Sequence, residues 1–226
     1  VGRVIAKGRI ANLRFINNNE LIGIGGTQIF HIDVNTGKVT QTEEFVTGIS
    51  KLSPDGRWIV KDDYDSKPAE SDDLEDMNLF SGGRATLEIT DRETKQSVHK
   101  FTGQKSSIKT IAFSPDSRYV VTGADDNTIF IYDLINMKFA GKFTDKMSYP
   151  AGLTFTPDGK KLVSGNYDKM IRIWNFEEQK LIQKLGGVAN VIYNIALSPN
   201  GQSLAVMGTP GFGGSGAIQV LDLKRG

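Results

Sequence analysis

Apolar and polar positions alternate over short runs along most of the chain, and clusters of Pro, Asp, Asn and Gly separate the runs. A two-residue period puts alternate side chains on opposite faces of a sheet, so the pattern predicts short strands joined by tight turns. One arrangement recurs. The run Ile108-Lys-Thr-Ile-Ala-Phe113 leads into Ser-Pro-Asp-Ser117, Ala151-Gly-Leu-Thr-Phe155 into Thr-Pro-Asp-Gly159, and Ile192-Tyr-Asn-Ile-Ala-Leu197 into Ser-Pro-Asn-Gly201. Pro115, Pro157 and Pro199 are spaced 42 residues apart. An earlier copy, Ser53-Pro-Asp-Gly56, precedes Pro115 by one period plus a 19-residue insertion. A degenerate copy runs from Leu13 to Glu20, with Asn17 at the proline position.

Each copy has the same internal order. After the turn, where Pro presets φ for the first corner and Gly accepts positive φ, comes a second apolar run such as Tyr119 to Gly123 or Lys161 to Gly165. A short Asp/Gly/Asn hairpin leads to a third alternating run, Thr128 to Leu134 or Met170 to Phe176. A more polar fourth run, Lys138 to Phe143 or Lys180 to Leu185, closes the unit. Four short strands repeated about every 42 residues describe a blade of a β-propeller. The expected fold is all-β, built of four-stranded antiparallel blades.

The second half of these units resembles a WD40 repeat. The resemblance rests on Gly-Asn-Tyr-Asp168-Lys-Met-Ile-Arg-Ile-Trp174-Asn175 and Gly-Ala-Asp-Asp126-Asn-Thr-Ile-Phe-Ile-Tyr132-Asp133, with Phe-Ser-Pro-Asp similar to the first-strand turn of that family. The Gly-His dipeptide of the family is absent; Gly103-Gln104 and Gly186-Gly187 stand in its place. The His-to-Asp hydrogen-bond network of typical repeats is therefore not expected. Asp126 and Asp168 are expected to brace their own hairpins, and Trp174 to be structural.

Strand phase assigns residues 1–226 to one propeller domain. Residues 1–8 read as a strand closing the last blade, followed by blade 1 over 9–46 and blade 2 over 47–102 with an insertion at 61–81. Blade 3 covers 103–143, blade 4 covers 144–185 and blade 5 covers 186–226. The last repeat ends after its third strand, so pairing with the N-terminal strand would latch a ring of five blades and leave no open sheet edge. The same phase suits a longer propeller lacking blades, and the alternatives stay open.

Charge changes this picture in one place. With 27 Lys+Arg and 26 Asp+Glu the net charge is +1, which argues against a dedicated nucleic-acid binder. The sixteen residues 61–76 hold eight acids and two lysines, a local −6, so the remainder carries +7. Those basic residues are dispersed among the blades, and nucleic acid is not the expected partner. The absence of cysteine excludes disulfides, thiolate metal sites and Cys nucleophiles. No apolar run approaches the roughly 18 residues that span a bilayer. The cytoplasm is the expected compartment, although a secreted setting fits the same composition.

In propellers of the family that the repeats resemble, the first strand of each blade lines a channel, and inter-blade loops with second-to-third-strand hairpins form the top face. The resemblance places Arg9, Arg14, Lys51 and Lys109 on such strands, Tyr149 and Tyr193 near their top ends, and both the acidic insertion and the Gly-rich hairpin bearing Phe212 on the same face. The candidate partner-binding residues are Arg9, Lys109, Tyr149, Tyr193, Phe212, Asp72, Asp73, Asp76 and Phe80. The insertion has three readings: a solvated loop, a docking element anchored by Met77-Asn-Leu-Phe80, or a divalent-cation site built from Asp62, Asp63 and Asp65 or from Asp72, Asp73 and Asp76. The spacing and glycine of a known Ca²⁺ loop are missing, and no metal site is assigned.

Catalytic constellations are not found. The channel strands contain no Asp or Glu, whereas a glycosidase needs two converging carboxylates. His31 and His99 lie in different blades with no carboxylate at ligand spacing, and read as ordinary strand residues. The expected function is a non-catalytic scaffold that binds a protein or peptide on its top face, needs no cofactor and is compatible with membership of a larger complex. A small-ligand or glycan-binding propeller is the runner-up, and a hydrolase comes third.

Overall fold

The computed structural model describes residues 12–17, 19–25, 27–45, 51–65, 84–145, 148–186, 188, 191–209 and 217–223. They form nineteen strands in five antiparallel sheets and no helix. The first sheet holds β1 (Asn12–Asn17), β2 (Glu20–Gly25), β3 (Gln28–Asp33) and β4 (Val39–Glu44); the second holds β5 (Lys51–Leu52), β6 (Trp58–Asp65), β7 (Arg84–Asp91) and β8 (Ser97–Gln104). The third contains β9 (Ile108–Phe113), β10 (Tyr119–Ala124), β11 (Ile129–Asp133) and β12 (Lys138–Phe143). The fourth contains β13 (Pro150–Phe155), β14 (Lys161–Asn166), β15 (Ile171–Asn175) and β16 (Lys180–Leu185), and the fifth β17 (Val191–Leu197), β18 (Ser203–Thr209) and β19 (Ala217–Asp222). These sheets are the blades of a β-propeller, in the order that the repeat predicts. The proposed closing strand at 1–8 lies outside the described residues.

Each blade is a meander because its turns are built locally. In four blades the residue before the turn proline accepts a backbone hydrogen bond at its hydroxyl: Trp58 N to Ser53 Oγ at 2.8 Å, Tyr119 N to Ser114 Oγ at 2.9 Å, Lys161 N to Thr156 Oγ1 at 3.0 Å and Ser203 N to Ser198 Oγ at 2.9 Å. The fourth turn residue takes positive φ, +79° at Gly56, +70° at Gly159 and +69° at Gly201, and Ser117 adopts +60° at the same place. The acidic insertion begins later than its composition implied. Residues 61–65 continue β6, which like β7 is eight residues long; both strands of this hairpin are extended together before the connection starts.

The chain divides into two compact units, residues 1–62 with 87–100, and residues 63–86 with 101–226. In the first, Ile22, Ile24, Ile29 and Phe45 of the first blade pack on Leu52 and Ile59 of the second. In the other, Val121, Ile129, Ile131 and Phe143 of the third blade meet Leu153, Phe155, Leu162 and Trp174 of the fourth. The opposite face of the fourth blade, with Val163 and Ile171, meets Ile192, Ile195, Leu204 and Val206 of the fifth. Burying one such aliphatic side chain contributes roughly 1.5–3 kcal/mol, against about 0–1 kcal/mol for an exposed ion pair. Apolar faces therefore hold these blades together.

The first strands β9, β13 and β17 lie side by side in the second unit. Their approach leaves no room for a side chain at Gly152, where a Cβ would stand 2.8 Å from the backbone nitrogen of Ile195. A backbone atom cannot rotate away. Gly152→Ala is expected to cost about 2 kcal/mol and to lower Tm by about 4–8 °C; an unchanged thermal melt would show that the two strands are not held this close.

Candidate functional site

The 42-residue period makes Lys109, Ala151 and Tyr193 equivalent, and each follows the first residue of its strand or lies one place further in. All three are bulge positions. The register steps from Thr110↔Gly123 to Ile108↔Ala124, from Gly152↔Gly165 to Pro150↔Asn166, and from Asn194↔Met207 to Ile192↔Gly208, so each of the three residues is skipped by the ladder. A bulge re-aims the side chain of the extra residue. Tyr193 is 40% exposed as a result.

Two further residues reach the same end of the sheets through the second-to-third-strand hairpins. Asp125 N donates to Ser107 O at 3.2 Å and, one repeat on, Tyr167 N donates to Tyr149 O at 3.1 Å. These bonds tie each hairpin to the start of its own first strand. Tyr149 and Tyr167 stack with centroids 4.7 Å apart, and Tyr193 meets Tyr167 edge-on at 6.2 Å. Lys109 Nζ lies 2.9 Å from Asp125 Oδ2, with both side chains partly exposed. Burial, with the neighbouring Tyr167, Asp125 and Tyr193, raises the Tyr149 pKa above that of a free phenol, so its hydroxyl stays protonated.

The structure thus gathers Lys109, Tyr149 and Tyr193, three of the sequence candidates, and adds Tyr167 and Asp125. The signal for these two was visible in the repeat: Gly-Ala-Asp125-Asp126 and Gly-Asn-Tyr167-Asp168 place them at one hairpin position. Arg9, Asp72, Asp73, Asp76, Phe80 and Phe212 lie outside the described residues. Lys51, at the start of β5, is half-buried, and that burial lowers its pKa. Among the described residues no group of His, Asp or Glu could hold a metal ion.

Bracing of the hairpins uses substitutes for histidine. In the third blade the buried Gln104 side chain donates to Thr122 O at 3.3 Å and to Thr128 Oγ1 at 3.4 Å, and accepts from Thr122 Oγ1 at 2.5 Å. Thr128 donates its hydroxyl to Asp126, which also accepts Thr128 N at 3.0 Å and Lys105 N at 3.1 Å. A network thus forms without the Gly-His dipeptide, because a Gln amide can both donate and accept. The fourth blade uses Arg172, 2% exposed, which bonds Asp168 at 3.1 and 2.8 Å and Asp145 at 2.9 Å. Burial alone would lower the Arg172 pKa, but the hydrogen bonds to both carboxylates outweigh it and the net shift is upward. Trp174 is buried and donates Nε1–H to Ser164 Oγ at 3.0 Å.

A cleft of about 770 Å³ lies at the opposite, turn-bearing end of the third and fourth blades, lined by Pro115, Tyr119, Pro157, Lys161, Phe176 and Ile182 among others. It belongs to the seam between two adjacent Pro-Asp turns and shares no residue with the tyrosine arc.

Repeated four-stranded blades with hairpins braced at Asp126 and Asp168 define a repeat-built propeller. Residues 95–133 and 147–175 match the family described as WD domain, G-beta repeat, so these two segments are similar to WD40 repeats. No curated protein matches the chain.

Outside the matched segments, the first unit holds a cluster that the sequence reading did not anticipate. His31 Nδ1 lies 2.6 Å from Glu20 Oε1 and its Nε2 lies 2.6 Å from Glu43 Oε1. Arg92 bonds Glu43, with Nε to Oε2 at 2.9 Å, and its Nη2 is 3.2 Å from His31 Nε2. No carboxylate stands at ligand spacing from His31 in the sequence, yet the sheet brings two to it, because residues of β2, β3 and β4 share one sheet face. Both ring nitrogens are occupied, which makes the cluster a brace. Glu43 is held down to about 2, chiefly by its hydrogen bond to Arg92, and burial, which would lower the His31 pKa, is outweighed by bonds to Glu20 and Glu43, so it rises.

A raised histidine pKa means that the folded state binds the proton more tightly than the unfolded chain. The stability from His31 is therefore complete below its unfolded value of about 6.5 and is lost as pH rises through the higher folded value. The Tm gap between the wild type and His31→Gln is expected to be widest near pH 5.5 and to narrow toward pH 9, as followed by thermal melts across about that range. A gap that does not vary with pH would mean that His31 is neutral in the fold.

Proposed function

We propose that this propeller is a non-catalytic interaction module that binds a protein or peptide through the arc of Lys109, Asp125, Tyr149, Tyr167 and Tyr193. WD40 propellers are in general protein-interaction scaffolds, which supports the class of function. The observation that carries the site is the convergence of three tyrosines from the fourth and fifth blades, beside the Lys109–Asp125 pair of the third. Tyrosine offers a large rigid contact surface with a polar tip, and it is enriched among the residues that dominate binding energy. A repeated glycan pocket is disfavoured by the same equivalences, since Lys109, Ala151 and Tyr193 differ, as do Asp125, Tyr167 and Thr209. The connection between β6 and β7, which carries the acidic insertion, is of the same kind as those bearing Asp125 and Tyr167. It is proposed as a second contact for a partner with basic character.

A displayed random-peptide library selected on the purified chain, followed by fluorescence anisotropy with the selected peptides, tests the site. Tyr167→Ala and Tyr193→Ala are each expected to weaken binding about 5- to 30-fold, the loss of about 1–2 kcal/mol typical of an anchor residue. Lys160→Ala, at the turn-bearing end, should leave it unchanged. Wild-type affinity in both tyrosine variants would sink the proposal.

A further inference from the structure

The seam between the first and second blades is charged where the seam between the third and fourth is apolar. Backbone register makes the positions equivalent. Glu20 pairs with Asp33 as Tyr119 pairs with Asp133, Ile22 with His31 as Val121 with Ile131, and Ile29 with Glu43 as Ile129 with Phe143. In the blade that follows, Arg92 N donates to Arg57 O at 2.9 Å as Phe176 N donates to Lys160 O at 2.9 Å. Tyr119, Ile131, Phe143 and Phe176 pack in one apolar seam, with Phe176 edge-on to Tyr119 at 5.2 Å. Glu20, His31, Glu43 and Arg92 take those four places in the other.

Four apolar side chains are thus exchanged for two carboxylates, an imidazole and a guanidinium, and the set is neutral only when His31 is protonated. Each ring nitrogen lies 2.6 Å from a carboxylate oxygen, Nδ1 from Glu20 and Nε2 from Glu43. A neutral imidazole has one N–H and would turn a lone pair toward one carboxylate; only the cation donates to both. Arg92 joins from the second blade: Nε donates to Glu43 Oε2 at 2.9 Å, Nη2 donates to Glu43 Oε1, and Nη1 donates to Gly56 O at 3.3 Å. Its Nη2 also lies 3.2 Å from His31 Nε2. When the proton leaves and Nδ1–H stays on Glu20, Glu43 loses a donor and Nε2 becomes a rival acceptor for Arg92.

The remaining charged groups nearby do not replace that proton. Asp33, two places along β3, accepts Thr36 N of its own turn at 2.7 Å. Arg14 of β1 stands opposite Ile22, one strand beyond His31 in the register. Asp55, Arg57, Glu93 and Lys95 line a cleft of about 640 Å³ beside Glu43 and Arg92, which brings water to them. His31 and Glu43 themselves expose only 13% and 15% of their side chains, so salt screens a charge left unbalanced there weakly.

We propose that these four residues form a proton-operated latch between the first two blades, closed while the His31 cation spans Glu20 and Glu43 and loosened when the proton leaves. Removing one partner from a part-buried charge network is destabilising, and protonation of histidine is a recurrent way of setting such a contact. Burial would lower the His31 pKa, but the bonds to both carboxylates outweigh it. The latch is therefore closed at mildly acidic pH and yields as pH rises through the folded value. The apolar seam of the third and fourth blades has no counterpart of this proton.

Hydrogen exchange of the intact chain, read by mass spectrometry and corrected for the intrinsic pH dependence of exchange, tests the latch. Protection over residues 20–33 and 39–45 is expected to fall about 10-fold from about pH 6 to about pH 9, while residues 119–143 keep theirs. His31→Gln should hold the first blade at the lower protection at both pH values. An NMR titration of the wild-type ring, assigned apart from His99, needs no variant and should give a midpoint above about 6.5. Protection of the first blade that does not change with pH overturns the proposal, as does an equal loss in the third blade. A pH-dependent loss that persists in His31→Gln, or a His31 midpoint at or below about 6.5, overturns it too.

Discussion

Apolar packing between successive blades is the constraint on which the rest of the second unit depends. The fourth sheet offers two faces, one to the third blade and one to the fifth, so its third strand alternates between two buried sets: Ile171 on one side and Trp174 on the other. That demand brings β9, β13 and β17 together. Residues 42 apart in sequence become neighbours in space, and anything placed at a bulge or a hairpin is set beside its equivalents. The tyrosine arc follows from this geometry more than from any motif.

Polar bracing answers a different problem. The hairpin between the second and third strands exposes backbone groups at the end of a buried sheet, and those groups must find partners. The Asp of each hairpin supplies them, Asp126 accepting from Thr128 N and Lys105 N and Asp168 from Met170 N, while Gln104 with Thr128 in the third blade and Arg172 with Asp145 in the fourth hold those carboxylates in place. A neutral amide and a buried cation do equivalent work there, because each can donate toward an Asp-anchored turn. In the first blade His31 spans two carboxylates and, through Glu43, reaches Arg92 beside the second. Side chains at these positions vary in chemistry while the backbone they serve is repeated.

Much of the fold was legible because period, alternation and turn residues agree with one another. The Pro-Asp turns fixed the phase, and the strand after each turn could be placed to within a residue or two. The bulges were not legible: nothing in Ile-Lys-Thr or Ile-Tyr-Asn announces an extra residue, since a bulge appears only when two strands are set in register. For the same reason Tyr193 could be placed near a strand end but not aimed. Tyr167 was not among the sequence candidates, because what draws it into the arc is its backbone bond to Tyr149 and the stacking of the two rings. Arg172 was hidden by its neighbours, because an Arg inside an alternating strand reads as solvent-facing, and only Asp168 together with Asp145 makes its burial affordable. The His31 cluster was missed because Glu20, His31 and Glu43 are diagonal across three strands and have no fixed spacing in the chain.

These two layers support the scaffold role proposed above. Backbone features recur at the same phase in successive blades, namely the hydroxyl-capped turn, the first-strand bulge and the hairpin tied to the start of its own strand. Side chains at the bulge do not recur: Lys109, Ala151 and Tyr193 differ in size, charge and polarity, and the hairpin positions Asp125, Tyr167 and Thr209 differ as well. If the repeat bound one small ligand per blade, the same side chains would be needed in each. A single asymmetric surface requires the opposite, a regular backbone that holds unlike residues at fixed separations. Two stacked rings, a third ring edge-on and an ion pair one blade away give such a surface both direction and register, which an extended polypeptide can read and a symmetric sugar site cannot use.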